Sequence, residues 1–273
     1  MSVSPISLRK RSVPLLSALC LLVALVLSGC TSPRAVLSGV VVDEYTGEPV
    51  ANAAIKIGSQ TLNTDANGSF ATREWSANDT LEVSAPSYEG FSLSLEGRPE
   101  VQQTDSTTIT LQTTLRPNTF GGTLTDAFTG KPLSGAVITA TDGLSITLSA
   151  TSDANGQYSL SGVPEKFSVT ISAPDYAPIA QDFERSISFD SALRPNTLSG
   201  VITDRYTSQP IAGVTVSAGS ATATSDAEGR YRLTDIPEDA DAVKFVAEGY
   251  TELSQQLDQT TAIDAVLRPD TPA

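Results

Sequence analysis

Apolar and polar residues alternate with a period of two along most of the chain beyond residue 35, in short runs that Gly, Pro, Asn and Asp interrupt. A period of two places successive side chains on opposite faces of an extended backbone, so each run predicts a strand with one buried face. No window after the first thirty residues has a helical period. The pattern therefore predicts an all-β chain.

The alternating positions recur in three sets. The first predicted strand carries Leu37 and Val41, and equivalent apolar pairs follow at Phe120 and Leu124 and at Leu198 and Ile202. Two further strands repeat in the same way. The second has apolar residues at Ala53, Ile55 and Ile57, at Ala136, Ile138 and Ala140, and at Val214, Val216 and Ala218. A later one has them at Leu81, Val83 and Ala85, at Val169, Ile171 and Ala173, and at Val243, Phe245 and Ala247.

Two short motifs recur in the same order. VVDEYTGEPV (41–50) is repeated as LTDAFTGKPL (124–133) and ITDRYTSQPI (202–211), and each copy closes on TTLRPNT, SALRPNT or AVLRPDT. The period is that of a small domain and exceeds the roughly 20–50 residues of a solenoid repeat. We assign residues 36–116, 117–194 and 195–268 to repeats 1, 2 and 3, each a two-sheet β-sandwich of about seven strands, and 269–273 to a tail.

These motifs, followed in each copy by TDANGSF (64–70), SDANGQY (152–158) or SDAEGRY (225–231), resemble the carboxypeptidase regulatory-like domain. The resemblance covers residues 36–268 and implies three tandem Ig-like, transthyretin-like β-sandwiches, a type of domain common in secreted and surface proteins. It implies no catalytic residue, because the family's peptidases keep their zinc and catalytic groups in a separate domain.

The amino terminus predicts a secretory signal peptide. Three positive residues, Arg9 to Arg11, precede an apolar run from Val13 to Leu27. The run is shorter than the roughly 20 residues that a spanning helix requires.

The apolar run ends in Leu27, Ser28, Gly29 and Cys30, which resemble a bacterial lipobox. In a lipobox the Cys thiol takes a diacylglyceryl group and becomes the first mature residue. We therefore predict a signal peptide at 1–29, lipidation of Cys30 and a tether at 30–35. An ordinary signal peptide with a chance Cys and an uncleaved anchor are the alternatives.

Lipidation would leave the mature chain without a free thiol, because Cys20 lies in the removed segment. Two or more acyl chains hold a protein stably on a bilayer. We expect attachment in the bacterial cell envelope, at the outer membrane or cell surface, facing the periplasm or the exterior. Thr31, in place of Asp after the Cys, favours the outer membrane.

Composition narrows the function. The formal charge is −14 and no basic stripe occurs, so nucleic acid is not an expected partner. The chain has no His, which removes imidazole catalysis and His-based metal sites. We predict a protein that is not an enzyme and has no cofactor, although a site built from carboxylates alone remains conceivable. Asp43 and Glu44 are adjacent acids, but we interpret them as part of a turn because the pair does not recur.

The recurring D-x-x-G stretch allows two interpretations. In repeat 1 it matches a calcium loop at all but the leading position, but the ligand positions Thr151, Gly162 and Thr224 of the other copies do not fit. We therefore predict structural turns and no metal site, with weak calcium binding in repeat 1 as the alternative. The turn residues are Asp65, Gly68, Asp153, Gly156, Asp226 and Gly229.

The recurring Tyr88, Tyr176 and Tyr250 predict buried rings whose hydroxyls bond to a nearby backbone group, as in a tyrosine corner. Trp75, the single Trp, is expected to pack in a core or at its rim, with stacking on a sugar as the alternative. Segments 96–108 and 141–150 differ most between copies, so we expect partners to bind there.

The sequence favours a non-catalytic, lipid-anchored stalk, scaffold or adhesin-like module with a protein or glycan partner. A polysaccharide- or solute-capturing lipoprotein is the first alternative, and a carboxylate-based hydrolase is the second. Short joints containing Pro predict a semi-rigid rod of roughly 100 Å.

Overall fold

The computed structural model describes residues 35–98 and 108–270, and the regular elements in these ranges are all β-strands. Repeat 1 contains β1 (Val36–Asp43), β2 (Ala54–Ile57), β3 (Gln60–Asn63), β4 (Ser69–Thr72), β5 (Thr80–Ser84), β6 (Phe91–Ser94) and β7 (Thr108–Leu115). Repeat 2 contains β8 (Thr119–Asp126), β9 (Val137–Thr141), β10 (Thr147–Thr151), β11 (Gln157–Ser161), β12 (Lys166–Ser172), β13 (Ile179–Glu184) and β14 (Ser191–Leu193). Repeat 3 contains β15 (Leu198–Asp204), β16 (Thr215–Ala218), β17 (Ala221–Thr224), β18 (Arg230–Leu233), β19 (Ala242–Val246), β20 (Leu253–Gln256) and β21 (Ala265–Leu267).

Each repeat folds into the same pair of sheets. In repeat 1 a three-stranded sheet, β4-β1-β7, is paired with a four-stranded sheet, β3-β2-β5-β6. Repeats 2 and 3 have the same order, as β11-β8-β14 with β10-β9-β12-β13 and as β18-β15-β21 with β17-β16-β19-β20. The first and last strands of every repeat run parallel, and the other pairings are antiparallel. The prediction of an all-β chain of three tandem sandwiches is confirmed.

Three separate cores fill the sandwiches, one per repeat. Most of the alternating apolar positions from the sequence are buried, and Leu37, Phe120 and Leu198 are fully buried in their first strands. Ala85, Ala173 and Ala247, which end the later strand of each repeat, are only partly buried. Burying a side chain of this size stabilises the fold by about 1.5–3 kcal/mol. The period of two therefore places one face of each strand in its own core.

The first strand of each repeat carries a glycine where no side chain fits. A Cβ on Gly39 would lie 2.6 Å from the carbonyl oxygen of Leu111, one on Gly122 2.1 Å from that of Phe189, and one on Gly200 1.8 Å from that of Ile263. The first and last strands can approach each other this closely only because the side chain is absent.

The last strand differs between repeats. β7 pairs with β1 along its whole length, whereas β14 and β21 pair over only three residues. Just before these short strands, Oδ1 of Asp190 accepts the N–H of Thr123 at 2.7 Å, and Oδ1 of Asp264 accepts that of Val201 at 2.8 Å. A side-chain oxygen thus replaces a backbone carbonyl in the ladder.

The carbonyl beside this break is bound by a tyrosine. Tyr158 donates its hydroxyl proton to the carbonyl of Phe189 at 2.7 Å, and Tyr231 donates to that of Ile263 at 2.8 Å. Repeat 1 has Phe70 in place of this Tyr and an unbroken strand. The tyrosine hydroxyl and the strand break therefore occur together in repeats 2 and 3 and are both absent from repeat 1.

Candidate functional site

The D-x-x-G stretches form tight hairpin turns. In repeat 1, Oδ1 of Asp65 accepts the N–H groups of Asn67 at 2.8 Å and Ser69 at 2.9 Å, and Gly68 donates to the carbonyl of Asp65 at 3.0 Å. Equivalent bonds surround Asp153 and Asp226. In all three copies the carboxylate oxygen binds backbone N–H groups inside the turn.

The glycine of each turn has two roles. Gly68, Gly156 and Gly229 have φ of 71°, 74° and 70°, a conformation that favours glycine. A Cβ on any of them would also lie 2.2–2.5 Å from a carbonyl oxygen of the first strand. Each turn is therefore pressed against the first strand of its repeat.

A second turn, D-x-x-T in each copy, begins on a buried or half-buried aspartate. Oδ1 of Asp43 accepts the N–H groups of Tyr45 at 2.7 Å and Thr46 at 2.8 Å, while Oδ2 accepts the hydroxyl of Tyr88 at 2.9 Å. Asp126 with Tyr176 and Asp204 with Tyr250 form the same arrangement, with hydroxyl–carboxylate distances of 2.7 and 3.0 Å. Asp43 and Glu44 therefore lie in a turn.

These bonds change the acidity of both partners. Burial alone would raise the pKa of Asp43, but the hydrogen bonds from Thr46, Tyr88 and Tyr45 outweigh it and lower the pKa. Burial, together with the neighbouring carboxylate, raises the pKa of Tyr88 and of Tyr176 to about 12. Each pair consists of an ionised acid and a neutral phenol at pH 7.

The prediction that these tyrosine hydroxyls bond to a nearby backbone group is wrong. Their hydroxyls bond to an aspartate side chain about one half of the repeat away, and not to a nearby backbone group. Each of these tyrosines instead forms a backbone bridge to the proline of the next R-P-x segment, as between Tyr88 and Pro117. Tyr88 and Tyr176 thus lie where one repeat joins the next, and Tyr250 lies at the equivalent end of repeat 3.

The first joint, at Arg116 to Asn118, is held from both sides. Asn118 donates its N–H to the carbonyl of Ser87 in repeat 1 at 2.9 Å, and its own carbonyl accepts the N–H of Val163 in repeat 2 at 3.0 Å. Arg116 donates to the carbonyl of Val163 at 3.1 Å and pairs with Glu89 at 2.7 Å. Pro117 between them is buried.

A side chain of repeat 2 completes the first joint. Arg185 lies over the ring of Tyr45, with its guanidinium carbon 5.1 Å from the ring centroid, and donates to the carbonyl of Glu44 at 3.1 Å. A cation over an aromatic face contributes about 0.5–1 kcal/mol at an exposed site. The D-x-x-T turn of repeat 1 therefore forms part of the contact with repeat 2.

The second joint repeats the backbone geometry with a different ion pair. Asn196 donates to the carbonyl of Asp175 and accepts from Ile236, both at 2.9 Å. Arg194 donates to the carbonyl of Ile236 at 2.7 Å, and Arg232 of repeat 3 pairs with the Asp175 side chain. Sequence reasoning expected short joints but missed these contacts, because the repeated Arg and Asn are informative only once their partners are known.

At the end of repeat 3 the same elements are exposed. Asp270 donates to the carbonyl of Gly249 at 2.9 Å, as Asn118 and Asn196 do in the joints. Tyr206, equivalent to Tyr45, is 53% exposed. Arg268, equivalent to Arg116 and Arg194, is exposed and has no side-chain partner within the described part of the chain.

The hairpin between β9 and β10 presents an apolar side chain. Oδ1 of Asp142 accepts the N–H groups of Leu144, Ser145 and Ile146 at 2.9–3.0 Å, and these bonds lower the pKa of Asp142. Leu144 at the tip is 92% exposed. This hairpin belongs to the variable segment 141–150, whereas most of the other one, 96–108, lies outside the described residues.

Trp75 follows β4 at the end of repeat 1 where the chain enters. Its ring is half-buried against the core, and Nε1 donates to the carbonyl of Ala35 at 2.8 Å. Val163 and Ile236 occupy the equivalent positions of repeats 2 and 3, and they contact the preceding joint. The interpretation that Trp75 packs at the edge of the core agrees with this geometry.

The proposed lipobox residues Leu27, Ser28, Gly29 and Cys30 lie outside the described residues. Within residues 35–98 and 108–270, no helix has the length and hydropathy needed to cross a membrane. In the same ranges, no group of three or more His, Cys, Asp or Glu side chains is arranged to hold a metal ion.

The sequence profile of the carboxypeptidase regulatory-like domain matches residues 36–116, 119–191 and 197–268. No curated protein sequence matches the chain. The three profile matches cover most of its length.

Several solved structures are similar to the chain at low identity. The Bacillus anthracis TIE protein is 12% identical over 86% of this chain and 50% of its own, with a TM-score of 0.30, so this chain spans half its length. The Streptococcal ancillary pilin is 10% identical over 87% of this chain and 99% of its own, with a TM-score of 0.28. The major pilin subunit of Bacillus cereus is 10% identical over 87% of this chain and 100% of its own, with a TM-score of 0.31. TM-scores this low carry no conclusion about function.

Proposed function

Because the chain belongs to the carboxypeptidase regulatory-like domain family, in three consecutive copies, we propose that it is a non-catalytic, lipid-anchored stalk of the bacterial cell envelope. In this proposal signal peptidase removes residues 1–29, and the acylated Cys30 holds the chain on a membrane. Repeats 1, 2 and 3 then extend into the periplasm or the exterior as a scaffold or adhesin-like module.

The two joints carry this proposal. Each is fixed by backbone hydrogen bonds on both sides of a buried proline, by an arginine that reaches the next repeat, and by a further arginine from that repeat. A flexible linker would need none of these contacts. Joints of this kind suit a part whose role is to hold its distal end away from an anchor.

A partner would be bound by protruding features of the stalk. The hairpin tip at Leu144 is one, because three N–H groups bonded to Asp142 hold it in shape while the leucine faces solvent. The hairpin is also one of the two segments that differ most between the repeats, and variable loops on a constant scaffold are where binding residues concentrate. We propose that a protein partner binds at this hairpin.

Capture of a polysaccharide is the second candidate, favoured by the 53% exposed ring of Tyr206 at the end of repeat 3. Trp75 is less suited to this role, because its indole is half-buried and hydrogen-bonded to Ala35. A carboxylate-based hydrolase is disfavoured, since Asp43, Asp126 and Asp204 lie in separate repeats and each carboxylate is occupied by a turn and a tyrosine.

Metabolic labelling with palmitate tests the anchor. We expect the intact chain to incorporate label and to fractionate with membranes, and the Cys30→Ala variant to lose both properties. A Cys20→Ala variant is the matched control and should be labelled normally. Label that persists in Cys30→Ala would contradict the anchor.

Small-angle scattering of residues 31–273 tests the stalk. Three sandwiches held end to end predict a maximum dimension of roughly 100 Å, from strands of about five to seven residues plus loops. A compact, near-spherical particle would be incompatible with a stalk. Binding to envelope extracts and to a glycan array, with Leu144→Ser and Tyr206→Ser compared, then separates a protein partner from a glycan.

A further inference from the structure

The end of repeat 1 that faces its tether differs from the matching ends of repeats 2 and 3. In those repeats Val163 and Ile236 are buried and their carbonyls accept the arginine of the preceding joint. In repeat 1 the equivalent residue is Trp75, whose indole bonds to Ala35. In the proposed function the residues directly before repeat 1 are the tether, residues 30–35.

The tether is short. The five residue-to-residue steps from Cys30 to Ala35 span at most about 18 Å when fully extended. The Trp75 indole nitrogen lies 2.8 Å from the Ala35 carbonyl oxygen, so the hydrogen bond holds the indole next to the end of the tether. The polar layer of one leaflet is about 5–8 Å thick. An acylated Cys30 would therefore keep Trp75 within reach of the headgroups.

The chemistry of this end suits the interface between water and lipid. Tryptophan combines an apolar ring with an N–H and is enriched at the headgroup level of membranes. Arg73 and Glu74, the exposed charged residues just before Trp75 in the sequence, are of opposite sign and so provide no net attraction to anionic lipid. Any affinity for the surface would come mainly from the indole.

We propose that the Trp75 end of repeat 1 rests on the lipid headgroup layer, so that the stalk is seated on the membrane by a protein contact in addition to its anchor. This inference rests on the lipid anchor of the proposed function. It predicts binding that depends little on anionic lipid or on salt. In this arrangement the lipid surface contacts the end of repeat 1 that, in repeats 2 and 3, contacts the preceding joint.

The mature chain provides its own probes, because Trp75 is the only tryptophan and Cys30 the only cysteine after residue 29. Coupling Cys30 of residues 30–273 to a maleimide lipid in phosphatidylcholine vesicles supplies the anchor chemically. We expect Trp75 emission to be quenched by lipids brominated near the glycerol end of the acyl chain. Quenching by iodide should fall roughly twofold, because a headgroup-level indole is covered on one side.

Two controls separate docking from mere nearness. Inserting twenty Gly and Ser residues after Cys30 lets the chain move about 25 Å away, yet quenching by brominated lipid should persist if this end has its own affinity. Moving the probe to the exposed hairpin, in the double variant Trp75→Phe and Leu144→Trp, should abolish that quenching. Circular dichroism checks that both variants fold.

The outcomes are distinct from those of the palmitate experiment, since the anchor here is synthetic. Lipid quenching of Trp75 with both tethers, and none at Leu144→Trp, supports docking. Quenching that vanishes with the long tether shows only nearness and overturns the proposal, as does iodide access equal to that of the uncoupled chain. Loss of palmitate labelling would overturn the anchor and leave this measurement valid.

Discussion

The guanidinium of Arg194 in repeat 2 donates to the backbone carbonyl of Ile236 in repeat 3, across 2.7 Å. Arg116 makes the equivalent bond to Val163 at 3.1 Å. Hydrogen bonds from a charged donor are worth about 1.5–3 kcal/mol. Two of the three R-P-x segments therefore fasten one repeat to the next through the same side chain.

Arg194→Ala should loosen the second joint, because it removes this bond and leaves the backbone contacts of Asn196. Spin labels on the exposed residues Thr147 and Thr222 would show a broader distance distribution between repeats 2 and 3. Arg268→Ala is the matched control, since its side chain is exposed and has no partner among residues 35–98 and 108–270. Equal widths for the two variants would contradict the role given to Arg194.

Gly229→Ala should destabilise repeat 3 far more than Gly213→Ala. Both glycines have positive φ, which costs an alanine about 1–2 kcal/mol. A Cβ on Gly229 would also lie 2.5 Å from the carbonyl oxygen of Ile202, whereas Gly213 has open space around it. Relieving that clash adds about 1–3 kcal/mol. Urea unfolding measures the stability of both variants. Equal losses of stability would show that the turn at Gly229 is not packed against the first strand.

Tyr158→Phe should destabilise repeat 2 by about 1–3 kcal/mol, because the carbonyl of Phe189 would lose its donor beside the strand break. The reverse change in repeat 1, Phe70→Tyr, should give no gain, because β7 pairs with β1 without a break there. The urea midpoints of the two variants test whether the tyrosine hydroxyl stabilises a repeat only where the last strand is broken. A stabilised Phe70→Tyr chain would show that the hydroxyl acts independently of the break.

Tyr88→Phe should cost stability at neutral pH, and the cost should shrink in strong alkali. The folded pKa of Tyr88 is about 12, above the ordinary value of 10. A raised pKa means that the stabilisation is fully present below about pH 10 and is lost as the pH rises through the folded value. Comparing urea unfolding of the two chains between pH 7 and pH 12 measures the difference. A constant difference would argue against the Asp43 pair.

Calcium should leave the melting temperature unchanged. Oδ1 of Asp65 is already engaged by two backbone N–H groups, and the equivalent aspartates are engaged in the same way. Thermal unfolding in millimolar calcium and in chelator should coincide, with Asp65→Asn as the comparison. A calcium-dependent rise that Asp65→Asn removes would restore the calcium-loop interpretation of repeat 1.

The sequence predicted the parts of the fold that are local. The alternation at Ile55, Ile138 and Val216 identified strands and their buried faces, because side-chain direction follows from the backbone alone. The partner of Tyr88 could not be predicted, since Asp43 lies 45 residues away and the contact exists only after the two sheets have packed. The sequence predicted that Trp75 packs in a core or at its rim. Its bond to Ala35 could not be predicted, because it depends on where the chain enters the repeat.

Repeat 2 carries both parts of a connection: the entry residue Val163, whose carbonyl accepts the arginine of the preceding joint, and an exit segment in which Arg194 supplies one. A tandem duplication of the gene segment for repeat 2 would therefore place an exit arginine beside an entry carbonyl at the new junction. The exposed Tyr206 and Arg268 show that the third unit retains its exit half. In such a protein the number of units, and with it the length of the row of repeats, can change in evolution in steps of one whole domain.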